Sequence, residues 1–108
     1  MRIEDYRTSS GKNVITEYIY SLPQKDRAKA LKIRSDLRER GLDALNELNT
    51  RQIYGRLYEI KLSKHRYMYV SISNQLIGFV HAFKKESKKT DLKNIRTAKY
   101  RAKKMGLL

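Results

Sequence analysis

Residues 56–83 read RLYEIKLSKHRYMYVSISNQLIGFVHAF. The first seven alternate, with Tyr58, Ile60 and Leu62 on one side and Leu57, Glu59 and Lys61 on the other. A period of two marks a strand with one face on a core. Ser63, Lys64 and His65 form a polar break suited to a hairpin turn, which would leave His65 exposed. Residues 66–72 (RYMYVSI) are rich in β-branched and aromatic side chains, and Ser73-Asn74-Gln75 supplies a second turn. Residues 76–83 (LIGFVHAF) are apolar on both faces, as a central strand should be. Three strands joined by two short turns predict an antiparallel meander. With regular alternation, His81 shares a face with Phe79 and Phe83.

Upstream the period changes. Val14, Ile15, Tyr18, Ile19 and Leu22 follow the breaker cluster Ser9-Ser10-Gly11 at helical spacing. Pro23 closes this helix and suits the first turn of the next. The second helix is expected over residues 23–40, with Ala30, Ile33 and Leu37 on one face and Gly41 just beyond its end. Helices joined this tightly predict an antiparallel helical hairpin. Residues 2–7 (RIEDYR) suggest a short first strand. Residues 42–54 carry no decisive period; one further helical turn and a loop would account for them. Downstream, Thr90 or Asp91 is positioned to cap a helix. Leu92, Ile95, Ala98, Ala102 and Met105 form its narrow apolar stripe, ending at Gly106. The expected class is α+β, in the order β-α-α-β-β-β-α.

The chain has 108 residues, no cysteine, 25 Lys plus Arg and 11 Asp plus Glu, for a net charge of +14. This length predicts one domain over residues 1–108. The absence of cysteine excludes a disulfide scaffold, a thiolate metal site and a cysteine nucleophile. No apolar run approaches the ~18–20 residues of a membrane span, and no basic-then-apolar leader is visible. A cytoplasmic location is therefore expected. Leu, Ile, Val and Phe make up about a quarter of the residues, enough to build a core despite the charge.

That charge is unevenly spread. Residues 1–54 carry 11 basic and 8 acidic side chains, residues 55–108 carry 14 and 3, and residues 84–104 alone carry 10 and 2. Such asymmetry is the electrostatic footprint of a nucleic-acid binder and exceeds the net charge of about 2–8 that solubility asks of a small domain. An anionic membrane would want large apolar residues opposite the charge. The last helix offers mostly small ones, so no membrane partner is expected.

Strong catalytic signatures are missing. There is no Gly-rich phosphate loop, no H-x-x-x-H or Cys/His ligand set and no G-x-S-x-G elbow. What remains is a group of cations on strands beside one carboxylate. That set suits phosphodiester chemistry in RNA, where the 2′-hydroxyl attacks the adjacent phosphate. A base must take its proton, cations must stabilise the charge on phosphorus, and an acid must protonate the leaving 5′-oxygen. No metal or other cofactor is required. Glu59 and Lys61 share a strand face, Arg66 opens the next strand, and Lys84 and Lys85 end the last one. Each alone is equally what a solvated surface shows; their convergence singles them out. His65 and His81 are the imidazole candidates for the acid, although a histidine in an apolar strand such as His81 is commonly structural. Tyr67 and Tyr69 share a face, suited either to base stacking or to core packing.

Residues 58–106 resemble the RelE/ParE toxin superfamily, most of all its HigB-like, phage-derived branch. The resemblance is carried by Tyr58-Glu59-Ile60-Lys61, by Arg66, by His81-Ala82-Phe83-Lys84-Lys85, and by the last helix with Ile95, Ala98 and a basic tail. It implies helices packed on a small, mostly antiparallel sheet. It also implies the toxin of a type II toxin–antitoxin pair, commonly a ribosome-dependent mRNA endonuclease. By this resemblance Lys61 matches a strand cation of the RNA site, Arg66 the arginine on the scissile phosphate, and Lys85 the cation after the last strand, flanked by Lys84. Glu59 as the base is an inference from its chemistry. Lys84, Lys88, Lys89 and Arg96 are the candidate nucleic-acid contacts. RelE itself has a tyrosine a few residues after the last cation; residues 86–92 here contain none, which leaves the acid unassigned between His65 and His81. The implied partners are mRNA in the 30S A site and an antitoxin with a helix-turn-helix domain, with the chain a monomer or part of a toxin–antitoxin heteromer. The same fold includes gyrase poisons. A basic ribosome- or nucleic-acid-binding protein without catalysis would show the same charge.

Overall fold

The computed structural model describes residues 1–88 and 91–108. Strand β1 (Arg2–Asp5) leads into helices α1 (Val14–Tyr20) and α2 (Gln24–Arg40), followed by a 3-10 helix (Gly41–Glu47). Strands β2 (Asn49–Tyr54), β3 (Leu57–Leu62), β4 (His65–Ser73) and β5 (Leu76–Lys84) come next, and helix α3 (Leu92–Lys104) follows. All five strands form one sheet in the order β1-β5-β4-β3-β2. β1 runs parallel to β5, and the other neighbours are antiparallel. The expected α+β class and the β3–β5 meander are present.

The expected element order needs correcting. The stretch with no decisive period holds the 3-10 helix and an additional strand, β2. That strand lies at the sheet edge, and only Thr50 and Ile53 are half-buried, so no hydrophobic alternation announces it. The expected first strand is present: β1 precedes the helical pair and is built into the sheet, and α1 has only 7 residues.

Local chemistry explains the boundaries. The Asn13 carboxamide oxygen accepts from the backbone N–H groups of Ile15 and Thr16, each at 3.0 Å, and so caps α1. Pro23 immediately precedes α2, and Gly41 ends it at φ 64°. Asp91 caps α3 by accepting from the Asn94 N–H at 3.2 Å. The alternative cap, Thr90, lies outside the described residues.

The sheet has a core on each face. Ile15 and Ile19 of α1 and Ala30 and Leu37 of α2 pack on Ile60, Tyr67, Tyr69, Ile77 and Phe79. Tyr67 and Tyr69 are thus core residues, not a stacking platform. On the other face, Ala98 and Ala102 of α3 pack on Leu57, Met68, Val70 and Val80. Alanines let the helix approach closely, and Gly78 continues this fit: a Cβ there would lie 2.3 Å from Leu107 Cδ1.

A bulge alters one expected face. Met68 pairs with His81 but Tyr69 pairs with Phe79, so Val80 is an extra residue in β5. Phe79 therefore joins the α1–α2 core, while His81 and Phe83 stack on the α3 side with ring centroids 5.4 Å apart. The expectation that all three share one face fails at this bulge.

The first half of the fold is tied by Asp5 and Arg34, whose side chains are 6% and 7% exposed and meet in two hydrogen bonds of 2.6 and 2.9 Å. Arg34→Met leaves the carboxylate buried without its guanidinium and should cost roughly 3–5 kcal/mol in urea unfolding. The double variant Asp5→Leu/Arg34→Met should lose less than Arg34→Met alone. A single variant as stable as the parent would refute this role for the pair.

Candidate functional site

The sheet register gathers side chains from four strands into two rows. Asn49, Lys61 and Arg66 stand opposite one another on β2, β3 and β4. Arg51, Glu59, Met68 and His81 form the next row. All point to the face opposite the α1–α2 core. β5 adds Lys85, two residues beyond Phe83; its backbone N–H donates to the Lys64 carbonyl at 2.7 Å and so prolongs the ladder. Asn49, Arg51, Glu59, Lys61, Arg66, Lys85 and Lys88 line one open cleft of about 300 Å³.

The cleft is built around a buried carboxylate. The Glu59 side chain is 7% exposed, and its Oε1 lies 3.4 Å from Arg51 Nη2 and 3.7 Å from Arg66 Nε. Arg66 is itself held: its Nη1 donates to the carbonyls of Ser63 and His65 at 2.9 and 3.0 Å. Its guanidinium is thus fixed by the β3–β4 turn on one side and by Glu59 on the other. Arg51 keeps 63% of its side chain exposed. Excess positive charge around one buried anion leaves a net cationic hollow, suited to a phosphate group.

The four residues expected to be catalytic, Glu59, Lys61, Arg66 and Lys85, all line this cleft, as does Lys88. Lys84 does not; it pairs with His65 in the register and points to the other face. Arg96 lies on α3, outside the cleft-lining set, and is exposed. Lys89 is outside the described residues. Asn49 and Arg51 were not expected. They come from β2, whose sequence NTRQIY carries too few apolar residues to reveal a strand.

Neither histidine reaches the cleft. His65 begins β4 instead of standing in a turn, and it is buried beneath α1 and α2. Its Nδ1 lies 2.6 Å from the Tyr18 hydroxyl and its Nε2 3.4 Å from Asp26 Oδ2. Burial first, and the Asp26 charge second, push the Tyr18 hydroxyl up to about 12, so it stays protonated beside the ring. The expectation of an exposed His65 is therefore corrected. His81 is held against α3: Arg101 Nη1 lies 3.0 Å from its Nδ1, and Asn94 Oδ1 lies 2.6 Å from its Nε2. The ring fits both partners when neutral, accepting from Arg101 and donating to Asn94. Burial is the main cause that lowers its pKa below the usual histidine value, and the Arg101 charge adds to it. The Asn94 hydrogen bond and Asp91 oppose the shift.

Residues 17–103 match the family described as phage derived protein Gp49-like (DUF891). The match covers most of the chain, and the protein belongs to this phage-derived, toxin-like family, which is related to RelE and ParE. A search of curated proteins finds no match. No helix among the described residues is long and apolar enough to cross a membrane.

The lowered pKa of His81 has a definite consequence for stability. The unfolded chain takes up a proton near pH 6.5, where the folded chain resists it. The contribution of His81 is whole above that pH and is lost as the pH falls through the lower, folded value. Unfolding by urea should therefore become easier between pH 7.5 and about 5, and His81→Asn should reduce that slope. Equal slopes for parent and variant would show that the docked imidazole does not titrate with folding.

Proposed function

We propose that this Gp49-like protein is the toxin of a toxin–antitoxin pair, of HigB-like type, and acts as an endonuclease on mRNA held in the 30S A site. One observation carries the reading: a buried carboxylate and five cationic side chains from four parts of the chain line a single open cleft. The family relation to RelE and ParE supports it. The setting is the cytoplasm, where translation takes place.

The proposed reaction is attack of a 2′-hydroxyl on the neighbouring phosphorus. Glu59 takes the hydroxyl proton; among the described residues it is the only carboxylate lining the cleft. Arg66, already oriented by two carbonyls, binds the phosphate and stabilises the charge that grows on its oxygens. Arg51, Lys61 and Lys85 surround the same centre. The phosphorus–5′-oxygen bond breaks, leaving a 2′,3′-cyclic phosphate and a 5′-hydroxyl. Lysine ammonium groups are the proton donors that line the cleft nearest this step, because both imidazoles lie elsewhere. The ribosome supplies orientation, holding the mRNA so that the attacking oxygen is in line. A cognate antitoxin, carrying a helix-turn-helix domain, masks the cationic cleft in a heteromer; without it the chain is monomeric.

Primer extension on mRNA in a translating system, with and without ribosomes, tests the proposal. Cuts that appear only with ribosomes are expected. Intact mRNA in both, from folded protein, would overturn the endonuclease reading; inhibition of gyrase instead would identify a gyrase poison. Arg66→Ala and Glu59→Gln should each lower cleavage about 10²-fold or more. Undiminished cleavage by Glu59→Gln would remove the carboxylate as base. Loss of RNA binding by that variant, at parental stability, would make Glu59 the holder of the arginines instead.

A further inference from the structure

Beyond the cleft, β2 continues to Tyr54 at the tip of its hairpin with β3. This tyrosine is 53% exposed, and the Lys99 ammonium of α3 lies 3.7 Å from its ring centroid. Arg51, in the cleft, stands three residues earlier on the same strand. A bulge between Gln52 and Tyr54 puts the two opposite Glu59 and Leu57, on one face of β3, at most about 10 Å apart. Helix α3 flanks this path, with Ile95 packing into the same core cluster as Ile53 of β2. Its sequence from Leu92 to Lys104, LKNIRTAKYRAKK, carries six cations and no acid. Arg96 and Lys103 lie three and four residues from Lys99 and so share its side of the helix.

Resting on the reading of the cleft as an RNA site, we infer that Tyr54 and Lys99 form a second subsite, which holds a nucleotide of single-stranded RNA flanking the one in the cleft. Tyr54 stacks on the base, and Lys99 pairs with the phosphate beside it. An exposed aromatic ring next to lysines is the combination that binds single strands without reading their sequence, because every base has a stacking face. The ammonium fixes the ring orientation before RNA arrives, which lowers the ordering cost of binding. Continuity along β2 favours a nucleic-acid strand over an acidic protein. The strand leaving the cleft past Arg51 meets Tyr54 next, and α3 offers cations along that side. Stacking there would extend the footprint without adding a chemical group.

A fluorescent 2′-O-methyl oligouridylate of about 12 nucleotides is a suitable probe, within the range such sites cover and lacking the attacking hydroxyl. Tyr54→Ala should weaken its binding about 5- to 100-fold, and Tyr54→Phe should bind like the parent. Lys99→Ala should lower the dependence of log affinity on log salt by about one phosphate contact. Because Tyr54 is exposed, thermal unfolding should be unchanged. Parental binding by Tyr54→Ala together with weakened binding by Arg66→Ala would overturn this subsite and leave the cleft reading standing. Parental binding by both variants would overturn the cleft reading, and the subsite with it. Equal losses in Tyr54→Ala and Tyr54→Phe would exclude stacking. Intact RNA binding by Tyr54→Ala with lost affinity for polyglutamate would reassign the surface to an acidic protein and refute the inference.

Discussion

The buried ion pair between Asp5 and Arg34 ties the first strand to the second helix. Asp5 ends the parallel strand β1, and Arg34 lies in the middle of α2. The carboxylate also accepts from the Asn13 side-chain amide at 3.0 Å, and the other end of that amide caps α1. The Arg34 guanidinium lies 5.3 Å from the Phe79 ring centroid, over the central strand β5. One charged pair thus sets the positions of β1, α1, α2 and β5. Burying charge is costly, and an apolar pair of equal volume can match it in stability. What two short, fixed hydrogen bonds add is direction: they accept β1 in one register beside β5.

That arrangement commits α1 and α2 to one face. The opposite face is left to α3, a helix with small apolar residues, which covers only the part around Leu57, Met68, Val70 and Val80. At the hairpin end of β3 and β4 no helix among the described residues closes over the sheet, and the cleft lies there. Glu59 occupies the transition between covered and open sheet. Its buried carboxylate lies beside Arg51 and Arg66, 3.4 and 3.7 Å away. Core and cleft are therefore coupled through one carboxylate, and substitutions there act on the packing of Met68 and α3 as well as on charge.

The legible parts were those whose residues repeat with a clear period. The alternation around Tyr58–Ile60–Leu62 and the spacing of Val14, Ile15, Tyr18 and Ile19 both return as packed faces. Four cleft residues, Glu59, Lys61, Arg66 and Lys85, were nameable because alternation and short turns place them at one end of the meander. β2 was hidden because an edge strand with an exposed face needs few apolar residues. Without β2, Asn49 and Arg51 could not be assigned to a site. The bulge at Val80 was equally hidden: a one-residue insertion in a strand apolar on both faces leaves no mark in the pattern, yet it moves His81 away from Phe79. His65 followed a polar Ser-Lys pair and read as part of the turn; Tyr18 and Asp26, which hold it inside, lie 47 and 39 residues away in sequence.

The placement of the two histidines bears on how such a cleft could work. Each ring has both nitrogens engaged in the folded core, one beneath α1 and α2 and the other beneath α3. Mild acid therefore acts on the core beneath α3, through His81. On the proposed reading, the described residues of the cleft supply a carboxylate and cations but no imidazole. Proton transfer then supplies only part of the barrier reduction, and electrostatic stabilisation with orientation must supply most of it. Guanidiniums held in advance provide the first. The second is what a small open cleft lacks, because an open hollow of about 300 Å³ does not constrain a flexible strand. A large partner that holds the RNA in line would complete the site, which is the physical reason to expect dependence on the ribosome from a protein of this size.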